Sequence, residues 1–249
     1  MPTLISHILS VSRATPLITA GMLALQPLAA EAQAGPTPSF LDLCEGRNNA
    51  ARWYTFEMSD HAYETLEALL ETVGTRDCRE AQQRLQGVTD LRLPELAATA
   101  MPLTCILVDL PTVVDLKVIA IATPHLTRLD LSGKVIMDLA PISALTQLEE
   151  LYLTNTHITD LSPLIGLPLT TLDVSYNRIE SIEPIAELSA VRALDISNNP
   201  ITDISPLGAI LTPYNQSEWD YLILSGLNYR LDTCPIALSD ACEGDIYAD

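Results

Sequence analysis

The chain has 249 residues, enough for one large or two small domains, and a formal net charge of −19 at pH 7. A surface this acidic repels nucleic acid and anionic lipid head groups, which excludes both as partners and favours basic or neutral ones. Aliphatic residues dominate and aromatics make up only 5%, which suits a core of stacked Leu and Ile; no Gly or Ser run is long enough for a flexible linker.

Residues 1–34 read as an export signal. "MPTLISHILSVSR" carries His7, Arg13 and no acid, and the apolar run "ATPLITAGMLALQPLAA" follows, interrupted by Gln26 and Pro27. Ala32-Gln33-Ala34 then supplies the small-x-small pattern of a cleavage site. The run is shorter than the roughly 20 residues a membrane span needs. Cleavage after Ala34 is expected, with no membrane insertion afterwards and a product that is secreted or periplasmic. The leader holds one base and one acid, so the mature chain keeps 31 acids against 12 bases and the same charge of −19.

Export makes disulfides permissible. The positions of the five cysteines predict two clips, Cys44–Cys78 and Cys234–Cys242, one at each end of the mature chain. Cys105 is left over, either as a half-buried strand residue or for an intermolecular bond. There is no Cys-x-x-Cys and no matched His pair, so no zinc site is expected.

Residues 35–87 are expected to form an N-terminal helical cap. Ser59 is placed to cap "DHAYETLEALLETV", in which Tyr63, Leu66, Leu70 and Val73 share one face and Gly74 is the stop. Thr75 is placed to cap "RDCREAQQRLQ", with Cys78, Ala81 and Leu85 on one face and Gly87 as the stop.

From residue 88 to 229 the chain repeats itself. Leu172-Asp173-Val174-Ser175 returns as Leu194-Asp195-Ile196-Ser197, and Asn177 returns as Asn199, at an offset of 22 residues. The pattern L-x-x-L-x-L-x-x-N-x-I-x-D-L-x-P-L, with apolar swaps, fits copies beginning at Leu126, Leu148, Leu169 and Val191. An upstream copy runs Leu103-x-x-Ile106-x-Val108 and leads to Val113, Asp115-Leu116 and Ile119, without the proline. A truncated copy precedes it at Val88-x-x-Leu91-x-Leu93, and a stretched one follows at Leu222-x-Leu224.

This pattern resembles the leucine-rich repeat, in its short 22-residue internalin-like form. The resemblance implies an α/β fold: a right-handed solenoid with a curved parallel sheet on its concave face and short turns or 3₁₀ pieces on its convex face. The residues lead to the same picture. A coil such as the one holding Leu169, Leu172, Val174, Ile179, Ile182, Ile185 and Leu188 buries too little alone to offset the entropy of ordering it; stacking reverses the balance. The ends of such a stack need covers. The two-helix segment and a C-terminal disulfide cap with its tail, 230–249, are expected to supply them. Asn177 and Asn199 are read as scaffold, pairing backbone groups at the turn after a strand. Lys134, Thr156 and Pro111 stand there in other copies. The column Pro141, Pro163, Pro184 and Pro206 fixes φ in the return segment.

No catalytic set is found: no G-x-S-x-G, no H-E-x-x-H, no phosphate loop and no dinucleotide fingerprint. His61, His125 and His157 do not converge with a nucleophile. The informative surface is the sheet, because the middle residue of each L-x-L points away from the core. Asp130, Tyr152, Asp173, Asp195 and Ile223 are expected to form one ladder. Ser132, Thr154, Ser175, Ser197 and Ser225 follow the strands in a second. Arg128, Glu150, Thr171, Ala193 and Tyr221 precede them. The stripe is acidic, with Tyr152 and Tyr221 as anchors. Stacked carboxylates also raise the question of Ca²⁺, although Tyr152 interrupts the column. In the loop 211–221, Trp219 is expected to plug the last coil and Tyr214 stays open; Asn215-Gln216-Ser217 is a glycosylation sequon.

The expectation is an exported, non-catalytic and monomeric binding module without a cofactor, taking a protein, a peptide or a glycan on its concave face. The alternatives are a scaffold subunit of a periplasmic or envelope complex, and a calcium-dependent adhesin. The chain ends soon after its C-terminal cap, without an Ig-like domain or a cell-wall sorting signal, so host invasion is not carried over from the resemblance.

Overall fold

The computed structural model describes residues 37–46, 61–94, 113–211 and 219–227. The chain divides into two units, Met1–Ala34 and Gly35–Asp249, and every described residue lies in the second. The leader, Ser59, Cys105, the Cys234–Cys242 pair and the sequon lie outside the described residues.

A short helix, α1 (Phe40–Glu45), opens the described chain. Ser39 caps it with a reciprocal box: the Ser39 hydroxyl accepts from the Asp42 amide and the Asp42 carboxylate accepts from the Ser39 amide. The helix buries Phe40, Leu43 and Cys44. Cys44 bonds Cys78, as the spacing predicted, with the two Cα atoms 5.6 Å apart.

Helix α2 (Ala62–Val73) buries Ala62, Thr65, Leu66, Ala68, Leu69 and Leu70. Tyr63, expected on this face, is 43% exposed. The true stripe runs through Ala62, Leu66 and Leu69, and its small first member hides it from a search for large apolar residues. His61 stands at the N-cap with its ring 3.5 Å from the Glu64 carboxylate rather than capping the helix, and Gly74 ends the helix at φ +69°, in the left-handed region that favours glycine. Helix α3 (Cys78–Leu85) corrects a second expectation. Asp77 is its cap and accepts from the amides of Arg79 and Glu80 at 3.0 and 2.8 Å. Thr75 instead accepts from the Asp77 amide and donates to Glu80. Asp outcompetes Thr because its carboxylate takes two amides at once.

Six strands form one parallel sheet in the order β1 (Asp90–Arg92), β3 (Arg128–Asp130), β5 (Glu150–Tyr152), β6 (Thr171–Asp173), β7 (Ala193–Asp195) and β8 (Tyr221–Ile223). Leu91, Leu129, Leu151, Leu172 and Leu194 stack wholly buried in register behind it. This is the leucine-rich-repeat fold.

The first coil departs from the expected spacing. β1 pairs directly with β3, Leu91 opposite Leu129, although 38 positions separate them. The copy at Leu103–Val108 lies outside the described residues. Downstream, β2 (Val113–Val114) pairs with β4 (Val135–Ile136). Val114 lies opposite Ile136 and is 2% exposed, so it takes the inward place expected of Val113. One coil thus uses the strand of the truncated copy and the turn of the next. Its return segment is a full helix, α4 (Leu116–Ala122), capped by Asp115. The Asp115 amide donates to the buried Thr65 hydroxyl at 2.8 Å, tying the cap to the first coil.

Later coils return through 3₁₀ turns at Ala140–Ala144, Ser162–Leu164 and Glu183–Glu187, and through a short helix, α5 (Leu207–Ile210). The repeated Asp has a direct use here. Asp138, Asp160 and Asp203 each accept the amide two residues on, at 2.8–2.9 Å. The prolines sit where a turn needs a fixed φ and has no use for an amide donor.

Asn177 joins two coils. Its Nδ2 donates to the carbonyls of Leu153, Val174 and Ser175, and its Oδ1 accepts from the amides of Thr156 and Ile158. Asn199 repeats the arrangement one coil on, bonding Val174, Ile196, Ser197 and Ile179. Thr156 fits the same turn by donating to Leu153 and Asn177, and the buried Lys134 turns its ammonium to the Pro94 carbonyl.

Candidate functional site

The outward residues of the strands lie in two columns fixed by the sheet register. One reads Arg92, Asp130, Tyr152, Asp173, Asp195, Ile223; the other reads Asp90, Arg128, Glu150, Thr171, Ala193, Tyr221. Parallel strands are spaced about 4.8 Å apart, so neighbours within a column are in side-chain reach.

The β1–β5 end of the face is occupied by its own cations. The Arg128 guanidinium lies over the Tyr152 ring, 4.6 Å from its centroid, and donates to the Glu150 carboxylate. It also stands 3.6 Å from Asp90, while Arg92 stands 3.5 Å from Asp130. The Tyr152 hydroxyl donates to Glu150 at 3.1 Å. Burial raises its pKa, and the bond to Glu150 raises it further, so it remains a neutral donor.

The β6–β8 end differs. Its outward residues are Thr171, Asp173, Ala193, Asp195, Tyr221 and Ile223, with no Lys or Arg on the three strands. Tyr221 and Ile223 are exposed large side chains, and Asp173 and Asp195 are half-buried neighbours. Burial pushes the Asp195 carboxyl upward, the charge of Asp173 adds to it, and hydrogen bonds from Ser197 oppose both. Burial also raises the Tyr221 hydroxyl, with further upward pushes from Tyr152, Asp173, Asp195 and Asp220.

The ladder that follows the strands is partly turned inward. Ser175 and Ser197 are each only 3% exposed. Asp173 Oδ1 accepts from both the amide and the hydroxyl of Ser175, and Asp195 Oδ1 accepts from the Ser197 amide. Thr154 is half-buried, and Ser132 and Ser225 reach solvent. The correction has a plain cause: these residues begin a turn, so strand alternation does not set their direction. It also gives the strand carboxylates a scaffold role, since one oxygen of each caps the turn.

The next column is Gly133, Asn155, Tyr176, Asn198 and Gly226, all at positive φ. Glycine and asparagine tolerate this region; tyrosine does not. Tyr176 holds φ +56° and is 60% exposed, an exposed aromatic that sequence reading passed over. The signal was its place in a column of Gly and Asn. Trp219 packs half-buried against the core, in the place its repeat position assigns.

Among the described residues, no three His, Cys, Asp or Glu side chains gather in a way that would hold a metal ion. No described helix is long and apolar enough to cross a membrane.

Residues 124–166 and 169–209 match a family model described as leucine-rich repeats, two copies. Among solved structures, an internalin (inlF) from Listeria monocytogenes is 30% identical over 43% of this chain and 30% of its own, with a TM-score of 0.39. An internalin C2 (inlC2) from the same organism is 21% identical over 84% of this chain and 96% of its own, with a TM-score of 0.47. The plant peptide hormone receptor RGFR1, solved in complex with RGF2, is 21% identical over 47% of this chain and 19% of its own, with a TM-score of 0.39. The chain thus spans less than a third of the length of the first of these and of the receptor. Comparison with curated protein sequences gives no match.

Proposed function

We propose that this leucine-rich-repeat protein is an exported, non-catalytic binding module that takes a protein or peptide on the concave face of its sheet. The observation that carries the reading is the β6–β8 surface. Two large side chains, Tyr221 and Ile223, stand in solvent beside two half-buried carboxylates on a rigid sheet. Binding sites favour such anchors because a tyrosine buries a large area at low entropic cost and keeps a polar tip. The residues proposed to meet the partner are Asp173, Asp195 and Tyr221, with Tyr152, Glu150 and Arg128 as a preformed border and Asp130, Ser132 and Thr154 beyond it.

Export rests on the leader pattern ending at Ala34 and on the Cys44–Cys78 bond, which an oxidising compartment preserves.

The test is selection from a random peptide library displayed on phage. The full chain is immobilised beside a variant carrying Tyr152→Ala, Asp173→Arg and Asp195→Arg. Peptides retained by the parent and released by the variant support the reading. Retention that is equal on both moves binding off the concave face.

A further inference from the structure

The two ends of the sheet carry similar groups in different states. At β3–β5 a guanidinium rests on a tyrosine ring, against a carboxylate from the neighbouring strand. At β6–β8 the same kinds of group recur: a tyrosine, Tyr221, and carboxylates on adjacent strands, Asp173 and Asp195. These three strands provide no cation of their own. Thr171 and Ala193 precede Tyr221 in its own column and carry short side chains, Ala193 being buried. Tyr152 and Tyr221 stand three strands apart, about 14 Å between backbones at ordinary strand spacing. Tyr221 is exposed at this end of the sheet; burial raises its hydroxyl first, and Tyr152, Asp173 and Asp195 add to it.

Resting on the reading above, we infer that the β6–β8 half of the concave face seats a Lys or Arg side chain of an extended, basic segment of a partner protein, between Asp173 and Asp195 and beside the Tyr221 ring. Arg128 at the other end is the internal example of that contact. Charge complementarity selects the occupant: a chain of net charge −19 whose sheet face carries Asp173 and Asp195 beside an exposed tyrosine attracts a cationic peptide and repels an acidic one. An aromatic face adds to the attraction, most of all for arginine. Ile223 is exposed next to Asp195 in the same column and favours an apolar residue next to the cation. The convex turns also carry acids, and Asp138, Asp160 and Asp203 cap their turns as Asp173 and Asp195 do; the inference is confined to the sheet because there the carboxylates share a face with the exposed Tyr221 and Ile223.

The experiment uses the full chain and two readouts. The first is the composition of the peptides chosen in the phage selection. The second is fluorescence anisotropy with a labelled Lys-Leu-Arg-Ser-Lys-Leu peptide, compared with Glu-Leu-Glu-Ser-Glu-Leu and Ser-Leu-Ser-Ser-Ser-Leu. Asp173→Asn with Asp195→Asn removes charge but keeps the oxygen that caps each turn. Tyr221→Ala is the second variant and touches no turn. Glu180→Gln with Glu187→Gln removes the same charge from exposed positions elsewhere.

The expected result is enrichment of Lys and Arg among selected peptides. Binding of the basic peptide should fall at least tenfold in Asp173→Asn/Asp195→Asn and severalfold in Tyr221→Ala, with little change in Glu180→Gln/Glu187→Gln. Concave-face peptides without basic enrichment would overturn this inference and leave the broader reading standing. Equal weakening in the Glu180→Gln/Glu187→Gln control would also overturn it, as attraction by net charge alone. If no peptide depends on the concave face, both fall.

Discussion

The first three and last three strands of this sheet share a backbone and part company in their side chains. β1, β3 and β5 hold Asp90, Arg92, Arg128, Asp130, Glu150 and Tyr152 in a closed set of ion pairs and ring contacts. β6, β7 and β8 hold carboxylates and apolar groups without a basic partner on the strands. The ends differ in construction as well. Near β1 the stack is closed by helices and a disulfide. From β5 to β7 it is built of near-identical coils. In a solenoid the repeat supplies the platform, and departures from the repeat supply local character.

The comparison can be broken most severely through the platform. Asn177→Ala leaves the buried amides of Thr156 and Ile158 without their acceptor and takes one of two donors from each of three carbonyls, in two coils. A loss of about 4 kcal/mol is expected, at roughly 1–3 kcal/mol per orphaned buried group after partial relaxation. Urea unfolding followed by circular dichroism measures it. The cap comes next: replacing Cys44 and Cys78 by Ser opens a loop with a sequence separation of 34. The chain-entropy relation gives about 3–4 kcal/mol for a loop of this size, read as a shift of the urea midpoint relative to the parent.

Tyr176→Gly should act in the opposite direction. It relieves a tyrosine at φ +56° and should stabilise the protein by about 1 kcal/mol. A loss of stability would show that the exposed ring makes a compensating contact.

Arg128→Ala sharpens the contrast itself. It should cost no more than about 1 kcal/mol, because its pairs are well exposed. It leaves Glu150, Tyr152 and Asp90 without their guanidinium, so the β1–β5 end should gain affinity for the basic peptide. Anisotropy on a background of Asp173→Asn and Asp195→Asn reads that gain.

The smallest effects are in pH. Asp160 is held below the ordinary carboxylate range by the Ser162 hydroxyl and amide. Its contribution is fully present above the unfolded value of about 3.9 and is lost as pH falls through its lower folded value. Asp195 has the opposite sign, being raised by burial first. It opposes folding above its folded value, and this opposition fades as pH falls through that value toward about 3.9. Asp160→Asn and Asp195→Asn should therefore change acid stability in opposite directions, by fractions of a kcal/mol, in melts at stepped pH.

Much of the fold was legible because the repeat states its own register. Leu129, Leu151, Leu172, Leu194 and Leu222 fall where the spacing puts them, and both outward columns follow from strand alternation. The Cys44–Cys78 bond was legible from position. The first coil was not, because two partial copies both satisfied the template and only three-dimensional docking chooses which strand meets Leu129. The tilt of α2 was missed because Ala62 and Thr65 carry a buried face without looking apolar. Helix α1 could have been read from Ser39 and Asp42, a capping pair three residues apart. In the site, the ladder identities were legible and the side-chain states were not. Nothing in one dimension shows that Arg128 lies on Tyr152, or that Ser175 and Ser197 fold under their neighbouring aspartates.

The asparagine turns set the size of the unit that can open. Asn177 serves carbonyls on its own coil and on the preceding one, and Asn199 does the same one step along, so Val174 answers to both. A coil that peels away abandons bonds in its neighbour, and the neighbour is weakened in turn. Fraying from the β8 end should therefore halt at this linked pair, and amide exchange across Leu153 to Ser197 should proceed in one common opening rather than coil by coil.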